Sequence, residues 1–257
     1  MDATVTGAAT GTAVGTATGP AIGTATGAEQ PPGLRLDLAE VPLREANDAL
    51  RALPDGARAE LLNPAGRHNL AVGLTTACEV TIAGPAGYYC GGLGERASIT
   101  VDGPAGWGVG ENLMSGTVRV RGDASQSVAA SAHGGLVVVE GQVSLRAGIS
   151  LKGGTLAVGG DAGAFCGFMA QAGTILIGGN AGDGLGDSLY EAVIYVAGTV
   201  RSLGTDARVE DLADEDVERV KQLVEVCGFD HIDPGNVTRI ASARQLYHFA
   251  THNHDAY

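Results

Sequence analysis

A chain of 257 residues has room for one sizeable domain or two small ones. It holds 41 glycines and only 4% aromatics, so its core is narrow and its backbone closely approached, which favours a repetitive β architecture over a helical bundle. A net charge of −13, from 29 acidic and 16 basic residues, argues against nucleic acid and anionic membrane surfaces as partners, and no apolar run approaches the length of a membrane span.

Residues 1–33 are a different material from the rest. The run GTAVGTATGPAIGTATG repeats Gly, Thr and Ala, with no Lys or Arg before Arg35. A secretory signal needs a basic start and a leucine-like apolar core, and an import peptide needs arginines. Neither is present, so this segment reads as a disordered tail that buries too little surface to offset its ordering entropy. Residues 34–62 read as an N-terminal cap. LRLDL alternates like a strand, LREANDALRAL has helical spacing, and PDG is a turn.

Residues 63–205 repeat. NPAG at Asn63–Gly66 resembles the corner of an irregular first copy. Gap-free copies then start at 79, 98, 117, 136, 155 and 174, the first being EVTIAGPAGYYCGGLGERA, with a partial seventh from Val193. Each start lies 19 residues after the last. Columns two and four of the copies are apolar throughout, as in Val80/Ile82, Ile99/Val101 and Ile175/Ile177, which is the alternation of a half-buried strand. Column six is Gly in all seven copies (Gly84, Gly103, Gly122, Gly141, Gly160, Gly179 and Gly198), marking a corner that needs positive φ or close backbone approach. Columns eight (Ala or Val) and thirteen (Gly in five copies, Ala129 in the third) read as inward positions of a tight coil.

One such unit cannot bury its apolar face alone, whereas units stacked in register bury a continuous core. The predicted fold is therefore all-β: a right-handed parallel β-helix, a single-stranded solenoid of 19-residue coils, with short α/β caps at both ends. At about 4.8 Å per coil the rod stands about 30 Å tall. Cys78, Cys90, Cys166 and Cys227 include no CxxC pair and read as small buried hydrophobes of a reducing cytoplasm. Cys90 and Cys166 share column twelve four coils apart, roughly 19 Å, too far for a disulfide or a common metal.

Column three faces outward and changes character, from Thr81, Thr100 and Arg119 to Val138, Ala157, Leu176 and Tyr195. An apolar stripe of this kind needs a cover, either another subunit or, the favoured reading, the chain's own C-terminal helix. Residues 206–257 supply that helical cap and tail. ADEDVERVKQLVEVCG places Val217, Val220, Val224 and Cys227 on one face and ends at Gly228.

The corners GPAG, GDAG and GNAG resemble the GXGXG domain at the C-terminal end of the glutamate synthase large subunit, and also the subunit of formylmethanofuran dehydrogenase that shares this domain. The likeness runs from about Leu34 to the terminus. GPAGYYCGGL, ENLMSGTVRVRGDASQS, FMAQAGT, LGDSLYEA and SARQLYHF bring it closest to free-standing glutamate-synthase-like proteins of the GlxC type, which include a subunit of N-methylglutamate synthase. The resemblance implies a structural, non-catalytic subunit with no cofactor of its own. Its implied partners are a class II glutamine amidotransferase-like subunit and an FMN-binding glutamate-synthase-like subunit that also carries an iron–sulfur cluster. The residues agree with that division. No cysteine follows Met1 to act as a nucleophile, no cysteine cluster suits an iron–sulfur centre, and no run of βα units suits a flavin barrel. Two alternatives stay open: the formylmethanofuran dehydrogenase-like subunit, against which SARQLYHF weighs, and a stand-alone β-helix enzyme.

Catalytic, cofactor and metal residues are therefore expected to be absent from this chain. The corner glycines follow strands but lead into another turn rather than a helix, so they are not a phosphate loop. His248, His252 and His254 have a spacing that can gather imidazoles on a metal, yet no cysteine lies near and a plain terminal stretch is the better reading. His133 has no carboxylate or nucleophile spaced to work with it. Asp183, Asp187 and Glu191 form an acidic patch, read as a solvated edge or else a docking surface for a basic partner. Tyr88 and Trp107 share column ten on adjacent coils and should stack.

Overall fold

The structure, a computed structural model, describes residues 33–246. The readings made of residues 1–32 and of His248, His252 and His254 lie outside the described residues. In chain order the elements are β1 (Leu34–Asp37), α1 (Leu43–Arg51), β2 (Arg58–Leu62), β3 (Glu79–Ile82), β4 (Ser98–Val101), β5 (Thr117–Val120), β6 (Leu136–Val139), β7 (Lys152–Val158), β8 (Ala172–Ile177), β9 (Val193–Val196), β10 (Ala207–Glu210), α2 (Asp214–Cys227) and β11 (Thr238–Ser242).

The 19-residue repeat becomes a β-solenoid of about seven turns. From β3 to β9 every strand pairs parallel with the next in a register of 19, Val80 opposite Ile99, Ile99 opposite Val118, and on to Ile175 opposite Ile194. Columns two and four point inward, and Ile82, Val101, Val120, Val139, Val158 and Ile177 are wholly buried. Column eight forms a second ladder of single parallel bridges between successive coils, Ala86 to Ala105 to Ala124 and onward to Val200. The segment read as the N-terminal cap already contains the first two strands of the sheet, since β1 pairs with β2 and β2 with β3, both parallel. Helix α1 closes that end. Its buried Ala46 and Leu50 join the core, and the Asn47 side chain donates to the Asn69 carbonyl (2.7 Å) and accepts from the Ala71 N–H (2.9 Å). Loop polar groups that the first coil would leave exposed are satisfied in this way.

The corner glycines are needed for close approach. Of the seven in column six only Gly84 has a left-handed backbone, φ 139°. At Gly179 a Cβ would lie 2.7 Å from the Gly160 carbonyl carbon, and at Gly198 2.4 Å from the Gly179 oxygen. Each corner thus rests directly on the one before it, leaving no room for a methyl group. Positive φ belongs to column thirteen, where the five glycines lie between 66° and 72° and Ala129 follows at 55°. It recurs at columns eleven and fifteen in residues with side chains, including Leu93 (55°), Ser131 (53°) and Met169 (53°). Such a conformation costs a non-glycine residue about 1–2 kcal/mol. Here it aims each N–H at a neighbouring coil: Leu93 to Glu111 O, Ser131 to Ile149 O and Met169 to Asp187 O, all within 3.0 Å.

The C-terminal helix covers the apolar stripe, as its sequence implies. Val138, Ala157, Leu176 and Tyr195 pack against Val220, Val224, Cys227, Phe229, Ile232 and Val237 in a second core outside the solenoid. Val217 stands at the margin of the buried face, and Gly228 ends the helix at φ 75°. Arg119, on the last polar coil, donates to the carbonyls of Val226 (3.3 Å) and Cys227 (3.1 Å) at the negative end of α2 while pairing with Glu140. The sheet then reverses. β11 pairs antiparallel with β9 on one side and β10 on the other, giving the order β9-β11-β10 at the end of an 11-stranded sheet.

Candidate functional site

A connected polar cluster lies where α2 and β11 meet the last full strand. Tyr195 occupies column three of β9 and is buried, and its hydroxyl donates to Asp216 Oδ1 at 2.5 Å. Asp216, on the first turn of α2, uses its other oxygen to accept the Ala213 N–H (3.0 Å), closing the helix N-terminus. Arg239 of β11 reaches the same carboxylate through Nε at 3.1 Å and pairs with Glu210 of β10, which also holds Arg208. Hydrogen bonds from Arg208 and Arg239 hold the Glu210 carboxyl below its ordinary value against the opposing effect of burial. Burial pushes Asp216 upward, but the Tyr195 hydroxyl, the Ala213 N–H and Arg239 together bring it below the usual carboxylate range. Burial, then the Asp216 hydrogen bond, drive the Tyr195 phenol well above its ordinary value.

Two shallow cavities flank this cluster. One, of about 290 Å³, is lined by Tyr190, Glu191, Arg208, Arg239 and Arg244 among others. The other, of about 300 Å³, is lined by Tyr195, Asp216, Arg219 and Arg239 among others. The Arg239 guanidinium is engaged by two carboxylates, and Arg244 pairs with Glu191 at 3.2 Å. A phenol held neutral, carboxylates held ionised and guanidiniums already paired make a latch that fixes α2 and β11 to the rod.

The sequence-predicted candidates fall into place separately. Asp183 pairs with Arg201 (3.4 Å), Asp187 accepts from Ser188 Oγ (2.8 Å) and the Thr205 N–H (3.2 Å), and Glu191 holds Arg244. The acidic patch is thus three separate braces along the last coils. His133 is exposed at a corner, its own N–H donating to the Leu113 carbonyl at 2.8 Å. All four cysteines are free and buried, and burial pushes the Cys90 and Cys166 thiols up to about 12. Among the described residues no group of three or more His, Cys, Asp or Glu is arranged to hold a metal ion. The corner glycines offer no anion cradle, because the Gly160 N–H donates to Gly141 O and the Gly179 N–H to Gly160 O, each at 2.9 Å.

Tyr88 and Trp107 do stack, with ring centroids 5.2 Å apart and planes within 16°. His68 extends the ladder below them at 4.2 Å, and its Nδ1 accepts the Tyr88 N–H at 2.9 Å. Tyr88 and Trp107 are each about half exposed, 47% and 49%. Beside them Glu111 lies over Gly108, with no hydrogen bond or ion pair for its carboxylate among the described residues, and burial raises its pKa.

Protein GlxC of Rhizobium meliloti (strain 1021) is 49% identical to this chain over 225 residues, an alignment that takes in 86% of this chain and 99% of the relative. The chain belongs to the GlxC family. No protein-family model matches it. Among the described residues of this GlxC-family protein, no helix is long and apolar enough to cross a membrane.

Sequence reasoning about this GlxC-family protein missed the latch and one rung of the ladder. Arg239 and Glu210 lie outside the repeat, on strands separated by α2, so no column singles them out. His68 belongs to the irregular first turn, where β2 and β3 are offset by 21 residues (Arg58 opposite Glu79), and a strict 19-residue frame does not bring it under Tyr88. Arg119 is visible in the sequence as the last polar residue of column three. The break it marks is the signal that could have found its role as clamp.

Proposed function

We propose that this protein is a structural, non-catalytic β-helix subunit of a glutamate-synthase-like complex, with an N-methylglutamate synthase as its narrower form. The complex works in the cytoplasm and moves an amino group to or from glutamate or glutamine. A glutamine amidotransferase-like subunit handles the amide nitrogen, and an FMN-binding subunit with an iron–sulfur cluster carries the redox chemistry. The observation that carries this reading is the match to GlxC along 99% of that relative, by a chain whose 19-residue solenoid is the architecture the glutamate-synthase likeness implies. Neither cofactor fits the described residues of this chain. Its corner N–H groups are spent on coil-to-coil bonds, and its four thiols are buried and apart.

The test is reconstitution. The chain is expected to co-elute with the amidotransferase-like and FMN-binding subunits, and glutamate- or glutamine-dependent turnover should require those partners. Turnover of either amino acid by this chain alone would overturn the structural-subunit reading.

A further inference from the structure

The aromatic ladder flank is an apolar surface of the rod that no described segment of the chain covers. The outer sheet face of the later coils is just as apolar, and α2 lies over it. On the ladder flank Tyr88, Leu93, Trp107 and Met114 stay between 43% and 49% exposed on two adjacent coils. The two rings brace each other, and the backbones of the other two are bound to neighbouring coils. Tyr88 and Trp107 stack, Leu93 donates its N–H to Glu111 O (3.0 Å), and Met114 donates to Gly94 O (2.9 Å). Preordered aromatic side chains of this kind lose little entropy on docking.

Glu111 tells what kind of partner fits. Its carboxylate lies over Gly108, the residue that follows Trp107, and it is unpaired among the described residues. A partner that dehydrates the patch dehydrates Glu111 as well, which costs heavily unless the partner brings a cation. A second copy of this chain is a poor occupant, because a two-fold contact centred here sets Glu111 against Glu111 between chains each carrying −13.

We infer that the ladder flank is the docking surface for a partner protein chain, one that places an apolar side chain on Tyr88 and Trp107 and a Lys or Arg on Glu111. This inference rests on the subunit reading above and names the surface that role uses.

Trp107 is the chain's one tryptophan, so 5-fluorotryptophan labelling reports this patch alone. The labelled full chain is titrated with unlabelled amidotransferase-like and FMN-binding subunits and followed by fluorine NMR and affinity measurement. The expected result is a shifted Trp107 resonance at saturation, about thirtyfold weaker binding for Trp107→Ser and at least about tenfold weaker binding for Glu111→Lys. Ser98→Lys, on the sheet face, should bind as the parent does. Unchanged melting temperatures separate lost binding from lost folding, and if Trp107→Ser is destabilised, Glu111→Lys and the resonance decide. Assembly with an unmoved resonance and parental affinities overturns this inference and spares the subunit role. No assembly with either partner overturns both. The inference also fails if the resonance responds to protein concentration, making a second copy the occupant, or to truncation after Leu246, making it the chain's own tail.

Discussion

Replacing Gly179 by Ala tests whether the corners are glycine because coils touch or because the backbone is left-handed. Gly179 has no left-handed φ, so a helix- or strand-derived penalty for Ala is negligible there. Its added Cβ would lie 2.7 Å from Gly160 C, 2.8 Å from Asp161 N and 2.2 Å from Asp161 Oδ1. The carboxylate can swing away, but only by giving up the Asn180 N–H it accepts at 2.6 Å. The backbone atoms can retreat only by lengthening the Gly179 to Gly160 and Gly198 to Gly179 hydrogen bonds, now 2.9 and 3.0 Å. Overpacking of this kind costs about 1–3 kcal/mol, and two weakened hydrogen bonds add about 1 kcal/mol each. The expected loss is about 3–5 kcal/mol. Gly56 is the internal control, with φ 79° and nothing within 4 Å of a Cβ, so Gly56→Ala should cost only the left-handed penalty of about 1–2 kcal/mol. Denaturant midpoints followed by circular dichroism measure both, with hydrogen exchange across residues 160–198 localising the damage. If Gly56→Ala proves as costly as Gly179→Ala, the close-approach argument is wrong.

The latch gives stability a pH signature. Glu210 and Asp216 lie below their ordinary values in the fold, so their contribution is complete above the unfolded carboxylate value near pH 4 and is lost as pH falls through the lower folded values. Tyr195 lies above its ordinary value, so its contribution holds below about pH 10 and is lost as pH rises through the folded value. Urea midpoints against pH should therefore fall at both ends, with Glu210→Gln flattening the acid limb and Tyr195→Phe the alkaline one; a Tyr195→Phe profile with an intact alkaline limb would remove Tyr195 from the account. Arg119→Met should cost about 1–2 kcal/mol, and raise amide exchange in the last turn of α2 ahead of the solenoid strands. Uniform exchange along the chain would contradict its role as a clamp. All four thiols should ignore a thiol-titrating disulfide reagent at pH 8 until denaturant is added, and any rapid native-state reaction contradicts the burial described here.

The repeat was legible because stacking makes neighbours at a fixed spacing share one environment. Columns two and four show it in Val80/Ile82 through Ile194/Val196, and the turn in column three from Arg119 to Val138 even announces the helical cover. Other features leave no such trace. The left-handed residues at columns eleven and fifteen point their side chains outward, so Leu93, Ser131 and Met169 look like ordinary loop residues. The reversal of β11 rests on five residues, TRIAS, beyond α2 and outside any repeat. The latch joins Tyr195, Glu210, Asp216 and Arg239 from four elements, and only the folded chain brings them together.

Helix α2 is also a gauge. Its first turn is pinned at Tyr195 and its last at Arg119, four coil steps away, about 19 Å of rod. Fourteen residues of α-helix span about 21 Å. The two lengths agree, so the strut fixes how many coils can lie between its ends. A whole 19-residue unit can be added or removed upstream of Arg119 without disturbing either anchor. The same change between Arg119 and Tyr195 strands one end of the helix, so only the upstream part of the rod is free to vary in length.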